Sequence, residues 1–296
     1  MLVTFKHAKL TALMALSFAA ASAQAATLVG LTDNNRLLTF NSTATASVTS
    51  ATITGTAAGE SILSIDFRNP DNQIYGLGSL GNVYKLNAAT GAAVSFASGV
   101  VPAIAGGAGY EVDFNTQNNN LRVIGNKAAP DSNRALNMAT GVTAVQTALT
   151  RSDGGVLDVV GAAYNQNFAG SPAASLNLYY IDAESDALYR NNNAFAGGVL
   201  TKVGDLTLGG SAFAVNNATG FDIAASGEAF VSWNQNLYAI DLGSGALSAL
   251  GRIGAGGSSN VIGLTSVGAI PEPETYALML AGLGLVGLMV KRLKVA

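Results

Sequence analysis

The chain has no cysteine and a single histidine, His7. Without cysteine no disulfide can staple the fold, so packing and backbone pairing must hold it. His7 falls in a leader segment, described next, so the mature body carries no imidazole. Ser-His-Asp and Cys-His nucleophilic arrangements are therefore excluded, and so are His-ligated zinc, copper and non-haem iron. Any chemistry would have to run on carboxylates, tyrosine, lysine or a hard cation. Charge is scarce as well: Asp, Glu, Lys and Arg make up 11% of the 296 residues. No basic cluster is present, which argues against a nucleic-acid partner. Between the two ends no long segment repeats its apolar residues at the helical period of 3.6.

Both ends are apolar. Lys6, His7 and Lys9 precede an apolar stretch from Leu10 to Ala21, and Ala23-Gln24-Ala25 places small residues where a signal peptidase reads. Residues 1–25 are expected to be a secretory signal cut before Ala26. At the other end Pro271-Glu272-Pro273 precedes an apolar run from Tyr276 to Val290, closed by Lys291, Arg292 and Lys294. As a helix that run would rise about 22 Å, short of the ~30 Å hydrocarbon core. Snorkelling of Lys291 and Arg292 and one more turn from Thr275 would let it span. The basic end should stay cytoplasmic, leaving the body in the periplasm.

This order of short motif, membrane-depth helix and basic stop resembles the PEP-CTERM sorting signal of Gram-negative bacteria that make exopolysaccharide. The resemblance covers 269–296. It implies transient anchoring in the inner membrane and processing by an exosortase, a membrane cysteine protease, before release to the cell surface or outside the cell.

Removing both tails takes Lys and Arg from 15 to 10 and Asp and Glu from 18 to 16, leaving a body near −6. About 245 residues suffice for one core in one domain. A repeat runs through 26–268. Ile62–Val94, Tyr110–Val145 and Phe221–Leu250 each read as an apolar strand with an Asp, a turn and three further strands, with Thr-Gly or Ser-Gly before the last. Gly161–Lys202 is a looser copy, with Ala163 where the others carry Asp66, Asp113 and Asp222. Blocks of about 45–50 residues and four strands predict a β-propeller. Leu28–Thr32, Arg36–Phe40 and Ser47–Thr54 lack a first strand, and Asn260–Val267 is a strand without a blade. Pairing the two closes the ring and hides its edge. The expected fold is all-β, a propeller of five four-stranded blades closed by the C-terminal strand, with a short C-terminal transmembrane helix. A four-strand-per-repeat sandwich or solenoid is the alternative.

The phrases Ile65-Asp66-Phe67-Arg68, Gln73-Ile74-Tyr75-Gly76-Leu77-Gly78 and Val83-Tyr84-Lys85-Leu86-Asn87 with Ala89-Thr90-Gly91 resemble a secreted bacterial family of unknown function, DUF4394, over about 27–268. The resemblance implies a propeller-like fold, no established activity and no catalytic residues.

Three groups of residues are candidate sites. Asp66, Asp113 and Asp222 recur late in the first strand of their blades, beside the expected channel. Repetition favours a structural role, each carboxylate accepting backbone N–H bonds. No cofactor is expected, and a Ca²⁺ held by the three is the lesser reading. The tyrosines are expected in blade-to-blade cores, whereas Trp233, beside Asn234 and Gln235 at a strand end, is a candidate sugar platform. The insertions Pro102–Gly109, Lys127–Arg134 and Asn167–Ala174 are candidate binding loops, with Lys127, Asp131 and Arg134 giving the second mixed charge. Asp182, Glu184 and Asp186 read as an acidic turn rather than a catalytic pair. The function this supports is a noncatalytic surface or matrix protein whose propeller binds glycan or protein. A carboxylate hydrolase or a permanently tethered periplasmic scaffold are the alternatives. Expected partners are signal peptidase, exosortase, the inner membrane in passing, and exopolysaccharide.

Overall fold

The computed structural model describes residues 25–101, 109–126, 133–165, 176–191, 197–255 and 259–268. Ala23, Lys127, Asp131, the Asn167–Ala174 insertion and the whole of 269–296, with Pro271, Glu272, Pro273, Lys291, Arg292 and Lys294, lie outside these. Every regular element among the described residues is a β-strand, and no described helix is long and apolar enough to cross a membrane.

The strands form five sheets, each a blade. Blade 1 holds β1 (Thr27–Thr32), β2 (Arg36–Asn41) and β3 (Ala44–Thr52), with β23 (Val261–Val267) inside them. Blade 2 is β4 (Ile62–Arg68), β5 (Gln73–Gly78), β6 (Val83–Leu86) and β7 (Ala93–Ala97). Blade 3 is β8 (Tyr110–Phe114), β9 (Leu121–Gly125), β10 (Asn133–Leu136) and β11 (Thr143–Val145). In blade 4, β12 (Thr147–Arg151) adds a parallel outer strand to β13 (Val159–Tyr164), β14 (Leu178–Asp182), β15 (Ala187–Asn191) and β16 (Gly197–Asp205). In blade 5 the short β17 (Thr207–Leu208) and β18 (Ser211–Ala212) flank β19 (Thr219–Ile223), β20 (Ala229–Trp233), β21 (Asn236–Ile240) and β22 (Ala246–Arg252). The outer additions to blades 4 and 5 have no counterpart in the expected four-strand repeat.

Closure happens where the sequence places it. β23 runs antiparallel to β1, from Thr27 opposite Val267 to Thr32 opposite Val261. The innermost strands β23, β4, β8, β13 and β19 then neighbour one another in a ring. That ring is narrow. A Cβ on Gly220 would lie 2.7 Å from the Gly263 carbonyl carbon and 2.8 Å from the Leu264 nitrogen, so only glycine lets β19 approach β23.

The recurring Thr-Gly signal has a local cause. The Asn87 side chain accepts the N–H groups of Ala89 and Thr90, both at 3.0 Å, and Asn137 does the same for Ala139 and Thr140. The glycine that follows each Thr, Gly91 or Gly141, takes a left-handed φ of 74° or 71°. Asp241, Ser244 and Gly245 build the equivalent turn in blade 5. An Asx side chain that replaces a backbone acceptor, followed by a residue at positive φ, reverses the chain in few residues.

One apolar cluster fills each blade interface. Leu31, Ile65 and Tyr84 pack between blades 1 and 2, and Tyr75, Val112 and Phe114 between 2 and 3. Ile124, Tyr164 and Tyr180 fill the next gap, then Ile181, Phe221 and Val231. Leu28, Phe230 and Leu264 complete the circle between blades 5 and 1. Period-2 alternation gives each sheet two buried faces here, one toward each neighbouring blade. Tyr75, Tyr164, Tyr180 and Tyr189 are among the largest fully buried side chains, in keeping with a core role for the tyrosines.

Candidate functional site

The inner strands carry one aligned position each: Thr265, Asp66, Asp113, Ala163 and Asp222, in ring order. Each polar member holds a backbone N–H of the next blade. Thr265 Oγ1 accepts from Phe67 at 3.0 Å, Asp66 Oδ2 from Phe114 at 2.7 Å and Asp113 Oδ1 from Tyr164 at 3.3 Å. Asp222 Oδ2 accepts from Ser266. The bonds span 44 to 51 residues between the aspartates and their partners, which is one blade period. Ala163 is the one break in this latch. The repeated Asp is therefore a blade-to-blade fastener, as its repetition suggested.

The latch leaves one oxygen each of Asp113 and Asp222 over, whereas Asp66 is engaged at both, Oδ1 by the Phe67 N–H at 2.7 Å and the Thr265 hydroxyl at 2.9 Å and Oδ2 by the Phe114 N–H. Asp66, Asp113 and Asp222 are 1%, 2% and 1% exposed, and each offers an oxygen within 4.8 Å of the others. Among the described residues no Lys or Arg forms an ion pair with any of them. Burial pushes all three well above the ordinary carboxylate range. The charge of Asp222 adds to the shift of Asp66, and the charges of Asp66 and Asp222 add to that of Asp113. Asp222 rises to about 6, opposed by the Ser266 N–H. Its second oxygen, Oδ1, is buried without a hydrogen-bond partner.

These shifts fix a sign for pH dependence. Asp222 holds its proton more tightly folded than unfolded, so between its ordinary value of 3.8 and about 6 the native state carries more protons. Stability is full below that window and is lost as pH rises through it. In metal-free buffer the melting temperature is expected to fall between about pH 4 and 6. The loss is up to about 3 kcal/mol from Asp222 alone, at ~1.4 kcal/mol per unit. Asp66 and Asp113 act in the same direction. Thermal melts at stepped pH measure it, and a flat or rising profile contradicts it.

Two residues before the latch lies a second ring layer: Ser64, Glu111, Gly161, Gly220 and Gly263. Ser64 Oγ lies 3.1 Å from the Val112 nitrogen and 3.2 Å from Glu111 Oε2. Glu111, the one large side chain of this layer, sits at a cavity of about 190 Å³ with Leu63, Val160, Asn217 and Ile262. Burial raises its carboxyl well above the usual range, and the Ser64 hydroxyl opposes that. Glu111 gave no signal in the sequence because no other blade repeats it. Asp182, in the acidic turn of blade 4, is structural: it accepts the Asp158 N–H at 2.6 Å and pairs with Arg151 at 3.3 Å.

A larger cleft, of about 430 Å³, opens on blade 3 toward blade 4. Asn115, Asn118, Asn120, Asn137, Thr140 and Gln146 line it, over a floor of Arg122 and Tyr164. The amide oxygens are engaged in turns: Asn115 Oδ1 caps Gln117 at 2.9 Å, and Asn118 Oδ1 caps Asn120 at 3.0 Å. Asn115 is 2% exposed, and its side-chain amide bears on the Tyr164 hydroxyl of the floor. Arg122 Nε reaches the Tyr164 hydroxyl at 3.3 Å and its Nη1 reaches Asn133 at 3.0 Å, which fixes the floor.

Other candidates are not gathered here. Arg134 is on β10 beside the cleft residue Ala135, so its side chain takes the opposite face, where its charge acts on Tyr110. Trp233 is in blade 5, partly buried, edge-on to Phe213 with centroids 5.0 Å apart. Its indole N–H is buried without a partner. Sequence reading missed the cleft because its asparagines look like turn material, which they also are.

The fold and site define a closed five-bladed propeller with a carboxylate-lined axis and an amide-lined flank. The chain belongs to the family described as Domain of unknown function (DUF4394), which matches residues 36–265. Residues 269–293 match the PEP-CTERM protein-sorting motif, so this is an exported chain sorted by an exosortase to the cell envelope or surface. No curated protein matches. Solved structures resemble the chain at low identity and with TM-scores below 0.5. One is a structural-genomics protein of unknown function from Bacteroides thetaiotaomicron, 14% identical, with a TM-score of 0.48 over 81% of this chain and 62% of that one. An auxiliary nutrient binding protein from the same organism is 13% identical, with a TM-score of 0.41 over 79% of this chain and 51% of that one. A gluconolactonase from Xanthomonas campestris is 11% identical, with a TM-score of 0.43 over 79% and 78%. This chain thus spans less than two thirds of the first two structures. At these identities and scores the likeness carries no activity across.

Proposed function

We propose that the mature protein is a noncatalytic propeller of the cell surface or exopolysaccharide matrix that binds a neutral glycan in the blade 3 cleft. The observation that carries this reading is the cleft itself. Its volume falls within the ~300–1,000 Å³ usual for ligand sites. Its lining sets asparagine and glutamine amides and a hydroxyl beside Ala135, Val142 and Ala144, over the Arg122 and Tyr164 floor. Sugar hydroxyls accept as well as donate, and the N–H₂ groups of asparagines whose oxygens serve turns are donors for them. A noncatalytic role is supported by the absence of histidine and cysteine from the body and by aspartates committed to holding blades together.

Affinity electrophoresis through exopolysaccharide from the native host tests this. Wild-type protein is expected to be retarded, and Ala135→Trp, which fills the cleft from β10, to bind at least tenfold more weakly with an unchanged melting curve. Trp233→Phe should bind like wild type. Equal retardation of Ala135→Trp and wild type, or none for wild type, would overturn the assignment.

A further inference from the structure

We propose that Asp66, Asp113 and Asp222 form a Ca²⁺ site on the channel axis that ties blades 2, 3 and 5 together. The latch alone does not account for Asp113 and Asp222. Oδ2 of Asp222 is engaged by the Ser266 N–H, its Oδ1 is buried without a partner, and the residue brings an oxygen within 4.8 Å of the other two carboxylates. Asp113 uses only Oδ1 on its neighbour's N–H. Three carboxylates in one desolvated cluster, with no ion pair to a Lys or Arg among the described residues, are costly unless a cation or protons balance them.

The donor set selects the ion. It is all oxygen, with no histidine or cysteine anywhere in the body, which excludes the softer metals. Ca²⁺ accepts an all-oxygen protein set in flexible geometry, whereas Mg²⁺ dehydrates reluctantly and usually keeps several waters. The three carboxylates are almost fully buried and each offers an oxygen within 4.8 Å of the others, close enough to share one ion. The Thr265 hydroxyl, 2.9 Å from Asp66 Oδ1, holds that carboxylate in place. Ala163 keeps the count at three, so one Ca²⁺ leaves a residual charge near −1. This proposal is independent of the glycan reading, which concerns blade 3's outer flank.

The test uses the full chain in mild detergent, stripped with chelator and titrated with CaCl₂ alone at pH 7. Calorimetry is expected to give one saturable site per chain. At about a hundredfold excess over Kd the melting temperature should rise by roughly 5–10 °C, with a smaller response to MgCl₂. Asp222→Asn retains an acceptor for the Ser266 N–H and should fold without Ca²⁺, yet its melting temperature should no longer respond. Absence of Ca²⁺ binding by wild type at millimolar concentration would overturn the proposal. So would an Asp222→Asn variant that binds and is stabilised as wild type is. Should Asp222→Asn fail to fold, Asp113→Asn, which keeps its acceptor for the Tyr164 N–H, takes its place under the same two outcomes.

Discussion

A chain ended at Ser259 is expected to lose its folded state, whereas one ended at Gly268 should melt like the full protein. The shorter chain lacks β23, which supplies the inner strand of blade 1. Val261 and Leu264 are 1% and 3% exposed, and burying two such side chains is worth about 4 kcal/mol. The ladder to β1 adds several backbone bonds at ~1 kcal/mol each. Two latch contacts also vanish, the Thr265 hydroxyl with the Phe67 N–H and the Ser266 N–H with Asp222. The total approaches 10 kcal/mol, comparable to the ~5–15 kcal/mol that stabilises a whole domain. Circular dichroism and size exclusion read the result. A synthetic peptide of residues 260–268 added in trans should restore part of the β signal, because β1 still offers its unpaired edge. Two-state melting of the 259-residue chain near the full-length temperature would mean that the ring does not depend on its closing strand.

The ring was legible because its signals are local and repeated. Alternating strands, an Asp late in three of the five inner strands and an Asn-x-x-Thr-Gly turn in two blades recur along the chain, and the unpaired strand at 260–267 had one place to go. The partners of the Asp side chains were not legible. They lie one blade away, and nothing in the sequence of Asp113 points to the nitrogen of Tyr164. Thr265 escaped notice as a ring member because it fills the Asp position with a different acceptor. The blade 3 cleft was hidden for another reason. Asn115 and Asn118 serve turns with their oxygens, and sequence cannot report the direction of the remaining amide. Trp233 shows the limit from the other side. Its place at a strand end suggested a sugar platform, and what sequence could not report is that β18 and the chain after it bring the Phe213 ring to 5.0 Å from its own.

Glu60 was not singled out by any repeat, yet Glu60→Ala is expected to be among the most destabilising single changes in blade 2. The residue is 5% exposed and precedes β4. Its Oε1 accepts the Leu80 N–H at 3.0 Å and the Asn82 N–H at 3.4 Å. Its Oε2 accepts Asn82 Nδ2 at 2.9 Å and the Tyr84 hydroxyl. Burial, and then the bond to Glu60, raise the Tyr84 phenol, so it stays a donor. Alanine leaves four donors facing a void. At ~1–3 kcal/mol for each unmet buried group, partly relieved by water, the cost is about 4 kcal/mol, or roughly a 10 °C drop in melting temperature. Glu60→Gln keeps the shape but turns an amide N–H₂ toward donors, and should fall between. A second change isolates the cause. A Cβ on Gly78 would stand 2.1 Å from Glu60 Oε1, so Gly78→Ala alone should be strongly destabilising. In the Glu60→Ala background that collision is gone, and Gly78→Ala should cost far less. The double-mutant cycle is therefore expected to show a coupling above about 1 kcal/mol, as for side chains in direct contact. Additive effects of the two changes would mean that Glu60 is not held against Gly78 by the four bonds, and its role in ordering the turn before β6 would have to be abandoned.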